Sequence, residues 1–173
     1  MAKILVVDDE ADLEILVKQK FRKKIRESVY EFIFAQNGEE ALQKVLENPD
    51  LDIILSDINM PIMDGLTLLS RLPEANPMLK AVMVSAYGDM QNIRTAMNRG
   101  AFDFVCKPVD FDDLDLTMEK TILHVRQLQE TIKAIKENNI LKMYVDENVI
   151  NFMTNKEFVV LLRLRSNFRQ IQL

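Results

Sequence analysis

The chain has a single cysteine, no apolar run of the roughly 20 residues that a membrane-spanning helix needs, no surplus of positive charge and no internal repeat. Each shortage narrows the reading. Cys106 alone cannot form an intramolecular disulfide, so a disulfide-stapled scaffold is excluded. The opening Met-Ala-Lys-Ile-Leu-Val-Val-Asp-Asp-Glu meets two acids before a secretory apolar core is complete, which argues for mature structure rather than a signal peptide. Together these favour the cytoplasm and give no reason to expect a membrane partner. A formal charge of −5 offers no bulk attraction to nucleic acid, so none is expected as a partner. With 173 residues there is room for one domain of roughly 100–150 residues and an appendage, and too little for two full domains.

What is present is an alternation. Five short β-like runs punctuate the first two-thirds: Lys3–Val7, Tyr30–Ala35, Asp52–Ser56, Lys80–Val84 and Phe102–Cys106. Four are nearly continuous apolar stretches, as expected of strands buried on both faces. Between them apolar residues take helical spacing, as in Leu13, Leu16, Val17, Phe21 and Ile25, in Ala41, Leu42, Val45 and Leu46, and in Ile93, Ala96 and Met97. Turn formers at Asn37-Gly38, Asn48-Pro49, Asp64-Gly65, Arg99-Gly100 and Lys107-Pro108 separate the segments. Five strand–helix repeats with right-handed crossovers predict an α/β fold: a flavodoxin-like five-stranded parallel sheet in the order 2-1-3-4-5, with helices on both faces.

In such sheets ligands sit at the carboxyl ends of the strands, near the switch point. Asp8 and Asp9 follow the first predicted strand, Asp57 the third, Ser85 the fourth and Lys107 the fifth. Singly, each has a plain role: an N-cap, a loop acid, a turn former, a solvated lysine. Jointly they put three carboxylates in one small region, where mutual repulsion calls for a cation or protons. Hard oxygen ligands with room for water and phosphate suit Mg²⁺, with Lys107 as a point charge and Ser85 as a hydroxyl donor for a phosphoryl oxygen.

Ile4 to Glu10, Asp57 to Gly65, Val84-Ser85-Ala86, and Gly100-Ala101 through Lys107-Pro108 resemble the receiver domains of bacterial two-component response regulators over about residues 3–120. The resemblance implies that Asp57 accepts a phosphoryl group from a sensor histidine kinase. It also implies that Asp9, Asp57 and the Asn59 carbonyl ligate Mg²⁺ directly, with Asp8 acting mainly through water. Ser85 and Phe104 would form the switch, Asn59 and Tyr87 would border the phosphate, and Lys107-Pro108 would be cis. Tyr87 is expected to hinder attack by water on the phosphorylated state. Phosphatases of the haloacid dehalogenase type share an aspartyl phosphate but need an acid two residues after it, where this chain has Asn59. At most a slow self-dephosphorylation is therefore expected, not an enzyme.

After Lys107-Pro108 a helical pattern begins near Asp110 and continues without glycine or proline to Leu173. Leu114, Met118, Thr121, Val125, Leu128, Ile132, Ile135 and Asn139 alternate spacings of four and three, a heptad seam suited to a parallel homodimer, with a helix folded back on its own domain as the alternative. The expected division is a receiver over 1–120 and a helical or coiled-coil linker with a shortened output segment over 121–173. Arg163, Arg165 and Arg169 interleave with apolar residues in Lys156–Leu173, as in an amphipathic helix that packs on a partner. The stretch Glu137–Ile150 more loosely resembles the connector to a class III nucleotide cyclase, although no counterpart of the cyclase's metal-binding aspartates follows. A phosphorylation switch is thus expected, with a constitutive coiled-coil scaffold or adaptor as the rival.

Overall fold

In a strand, neighbouring side chains point to opposite faces, so a fully apolar strand needs cover on both sides. The computed structural model describes the backbone of residues 1–152 and the side chains of residues 1–139. Strands β1 (Ala2–Val7), β2 (Tyr30–Ala35), β3 (Ile53–Asp57), β4 (Lys80–Ala86) and β5 (Asp103–Lys107) form one parallel sheet in the order β2-β1-β3-β4-β5. The helices are α1 (Ala11–Lys20), α2 (Arg22–Arg26), α3 (Gly38–Glu47), α4 (Gly65–Ala75), α5 (Met90–Asn98) and α6 (Phe111–Phe152). Leu5, Val7, Ile54 and Met83 face a core closed by Ala41 and Val45 of α3, Leu68 and Leu72 of α4, and Ala96 of α5. Ile4, Val6, Ile53 and Val82 face the other core, closed by Val17, Phe21, Leu114, Met118, Ile122 and Val125. The expected fold class and strand order are those observed.

Three local features differ from expectation. Asp57, Ser85 and Lys107 lie within the strands rather than after them, because ladder pairing continues through Asp57 with Val84, Ser85 with Cys106, and Ala86 with Lys107. The first helical run breaks at Phe21, which ends α1 and starts α2 while remaining buried. Leu16, Ile25, Leu46 and Met97, whose spacing points them inward, are at the surface, since the apolar stripe is wider than the sheet each helix covers. The turns behave as their residues dictate. Asn37 and Asp64 cap α3 and α4, accepting from the Glu40 N–H at 3.0 Å and the Thr67 N–H at 2.6 Å.

By packing, the chain divides into Met1–Leu128 and Gln129–Leu173. In the first unit the Asp110 carboxylate caps α6, accepting from the N–H groups of Asp112 and Asp113 at 2.9 and 3.2 Å. Of the heptad seam, Leu114, Met118, Thr121 and Val125 are buried against the unit's own core, each apolar one contributing about 1.5–3 kcal/mol. Up to Val125 the helix therefore folds onto its own domain, the alternative to the coil. In the second unit α6 continues to Phe152, with Ile135 and Asn139 exposed. The amphipathic reading of Lys156–Leu173 lies outside the described residues, as do the side chains of most of the connector-like stretch. No helix among the described residues is long and apolar enough to cross a membrane.

Candidate functional site

Parallel strands that end side by side bring their carboxyl-terminal residues together, and β1, β3 and β5 end at the same edge of the sheet. Asp8 leaves β1 with its N–H donating to the Ala35 carbonyl at 3.1 Å, while its Oδ1 accepts from the Glu10 N–H at 2.8 Å. Glu10, not Asp8 or Asp9, is the N-cap residue of α1, and no side chain bonds there, so helix capping does not account for the acidic pair. Asp57 ends β3, and its Oδ1 accepts weakly from the Asn59 N–H at 3.4 Å. Carboxylate oxygens of Asp8, Asp9 and Asp57 all lie within 4.8 Å of one another. Asp8 and Asp57 are buried, whereas Asp9 is exposed.

Lys107 reaches in from the end of β5. Its Nζ donates to Asp57 Oδ2 at 3.0 Å, Asp8 Oδ2 at 3.1 Å and Glu10 Oε1 at 3.2 Å. Burial pulls the ammonium pKa down, but the hydrogen bonds and charges of Asp57 and Asp8 more than reverse this and hold it above the ordinary lysine value. Burial pushes the Asp8 carboxyl above its ordinary value; the Glu10 N–H and Lys107 pull it back only in part, and the charge of Asp57 adds to the rise. One ammonium thus stands among four acids, two of them buried, an arrangement with surplus negative charge. Ser85 Oγ, fully buried one strand away, has no hydrogen-bond partner. An orphaned hydroxyl on the strand next to that of Asp57, together with uncompensated carboxylates, suits a divalent cation and an oxyanion, so the residues fit Mg²⁺.

The remaining expected residues are spread around this centre. The Lys107-Pro108 bond is cis, as expected. Phe104 on β5 is half-exposed at 36%. Tyr87 stands in solvent at 87% exposure. Two contributors are not singled out by the sequence. Glu10 enters there only as part of a motif, yet it holds Lys107. Gly65, a turn former by residue type, begins α4 directly against the acceptor strand: a Cβ there would lie 2.1 Å from the Asp57 carbonyl oxygen. Its N–H donates to the Ile58 carbonyl at 2.9 Å, which stitches the start of α4 to the end of β3. A glycine at a strand-to-helix approach is the available signal for such closeness. Between them Ile62 adopts φ 68°, a strained conformation for a β-branched side chain, as Met63 N–H turns back to the Pro61 carbonyl at 2.7 Å.

Residues 4–119 match the response regulator receiver domain family. The chain belongs to this family. The receiver is 31% identical over 132 residues to the transcriptional regulatory protein ZraR of Escherichia coli K12, an alignment that covers 76% of this chain and 29% of that protein. The chain therefore spans under a third of the length of that curated relative. A receiver domain protein from Clostridium thermocellum superposes with a TM-score of 0.64 at 29% identity, covering 74% of this chain and 99% of its own. An adenylate cyclase structure from Rhodopirellula baltica has a TM-score of 0.71 and covers 78% and 96% of the two chains, but at 23% identity it is a likeness of fold.

Proposed function

We propose that this receiver acts in the cytoplasm, accepts a phosphoryl group on Asp57 from a phosphohistidine of a sensor histidine kinase, and thereby controls a partner or output domain through its C-terminal helix. The observation that carries this is the position of Asp57, buried within 3.0 Å of Lys107 and grouped with Asp8 and Asp9. In the transfer an Asp57 carboxylate oxygen attacks phosphorus, the P–N bond to the kinase imidazole breaks, and the imidazole leaves with the electron pair. Asp9, Asp57 and the Asn59 carbonyl would hold Mg²⁺ directly and Asp8 through water; bound there, the ion supplies neutralising charge to the phosphoryl oxygens. Lys107 contributes its ammonium to a phosphoryl oxygen. The Ser85 hydroxyl donates to another, and Phe104 turns into the space that Ser85 leaves, which makes a two-state element biased by one modification.

Asn59 and Tyr87 border the phosphoryl group, and Tyr87 slows hydrolysis by obstructing in-line water. Asn59 occupies the place two residues after Asp57 where rapid turnover needs a general acid or base, so hydrolysis is slow. Beyond Val125 the α6 seam, with Leu128, Ile132 and Ile135, pairs with a second copy in a homodimer. The likeness of Glu137–Ile150 to a cyclase connector makes a nucleotide cyclase one class of output.

Incubation with Mg²⁺ and acetyl phosphate tests the core of this reading. A base-labile adduct on Asp57 is expected, absent in Asp57→Asn and decaying faster in Tyr87→Ala. A wild-type protein that acquires no adduct under these conditions defeats the proposal.

A further inference from the structure

At the amino-terminal end of the sheet, away from Asp57, the charge of the chain reverses locally. Six of the nine residues from Lys18 to Arg26 are lysine or arginine and none is acidic, in a chain whose formal charge is −5. Some of these cations are already used: Lys18 pairs with Glu14, and Lys24 with Asp115 and Glu119. Arg22 and Arg26 are exposed and have no ion pair among the described residues. They stand over a groove between α1–α2 and the edge strand β2, where Met1, Ile25 and Phe32 form the apolar part. Met1 and Ile25 are exposed at 70% and 36%. The one acid in the lining is Glu31, 4.0 Å from Lys3.

From this groove we infer a docking site for an acidic segment of a partner protein that carries an apolar anchor side chain. The cations select negative charge, and the apolar floor selects a side chain to bury, a pairing of rim and pocket that defines one kind of peptide surface. The chain's own C-terminal residues do not fit, since 153–173 carry four basic side chains and one acid. A nucleic acid or an anionic lipid surface would also meet the cations, but the small apolar floor of Met1, Ile25 and Phe32 matches a single anchor side chain of a peptide better than a run of stacked bases or a membrane face. The inference stands independently of phosphoryl transfer at Asp57.

A fluorescent glutamate–tyrosine copolymer (4:1) serves as the probe, with poly-glutamate as the apolar-free control. Saturable binding of the copolymer is expected, about tenfold tighter than poly-glutamate and weakened at least about tenfold in Arg22→Glu/Arg26→Glu. Ile25→Ser should weaken the copolymer and leave poly-glutamate unchanged. Both variants must match the wild-type melt and far-UV circular dichroism, so that misfolding is recognised. Equal affinity for the two polymers, indifference to charge reversal, tighter adsorption to phosphatidylserine vesicles, or self-association of the protein through the same residues would each overturn the proposal.

Discussion

At the scale of single residues, Lys107 decides how the acidic site holds together. Its ammonium is the one cation bonded to Asp8, Glu10 and Asp57 among the described residues, and it is not enough. The raised Asp8 pKa sets a sign for stability. A carboxyl whose folded pKa exceeds its unfolded value stabilises the fold while protonated, and that contribution is lost as pH climbs from the unfolded value through the raised one. Ionised Asp8 therefore costs stability at neutral pH, and Asp8→Asn is expected to melt higher than wild type in chelator at pH 7. The gap should close as pH falls toward 4, and Mg²⁺ should raise the wild-type melt more than that of the variant. Thermal denaturation across that pH range, with and without Mg²⁺, checks all three. Asp8, Asp57, Ser85 and Lys107 are legible in the sequence because a parallel sheet delivers its strand ends to one edge. Glu10 and Ile62 are not, because an exposed acid's ion pair and a turn's φ depend on where a loop folds.

At the scale of elements, α6 shows why a spacing can be read correctly and assigned to the wrong surface. Alternate steps of four and three lay an apolar stripe along a helix whether it meets a second helix or a sheet. Leu114, Met118, Thr121 and Val125 are buried with the sheet, and of the seam Leu128, Ile132, Ile135 and Asn139 are left for another helix. The aromatic and polar ties agree: Asp115 accepts from Tyr30 at 2.8 Å and from Lys24 at 2.6 Å, and the Phe102 ring lies 4.9 Å from that of His124. A chain cut after Lys120 should then be less stable than one cut after Leu128. The lost burial of Ile122 and Val125 is worth about 3–6 kcal/mol. Urea denaturation of the two truncations would measure it, and equal midpoints would show that these turns contribute nothing. The strands, by contrast, are legible almost to the residue, since apolar runs bounded by turn formers leave little choice of period.

At the scale of the whole molecule, a seam shortened to three apolar positions makes a weak coil. Two heptads bury too little to hold a dimer firmly, so the proposed dimerisation should be concentration-dependent and open to adjustment by phosphorylation. Sedimentation velocity before and after acetyl phosphate treatment should show a shift in the monomer–dimer equilibrium; a mass fixed at one value across concentration in both states would contradict it. How such a shift could start is suggested by the contact at Gly65. Its α-carbon sits so tightly against the acceptor's carbonyl that no side chain, not even a methyl group, fits between them. Strand end and helix start are thus coupled like two parts turning on one pin: the peptide of Asp57 cannot be displaced toward α4 without pushing it, and loosening that fit would leave a chemically intact acceptor with slack in its mechanical linkage.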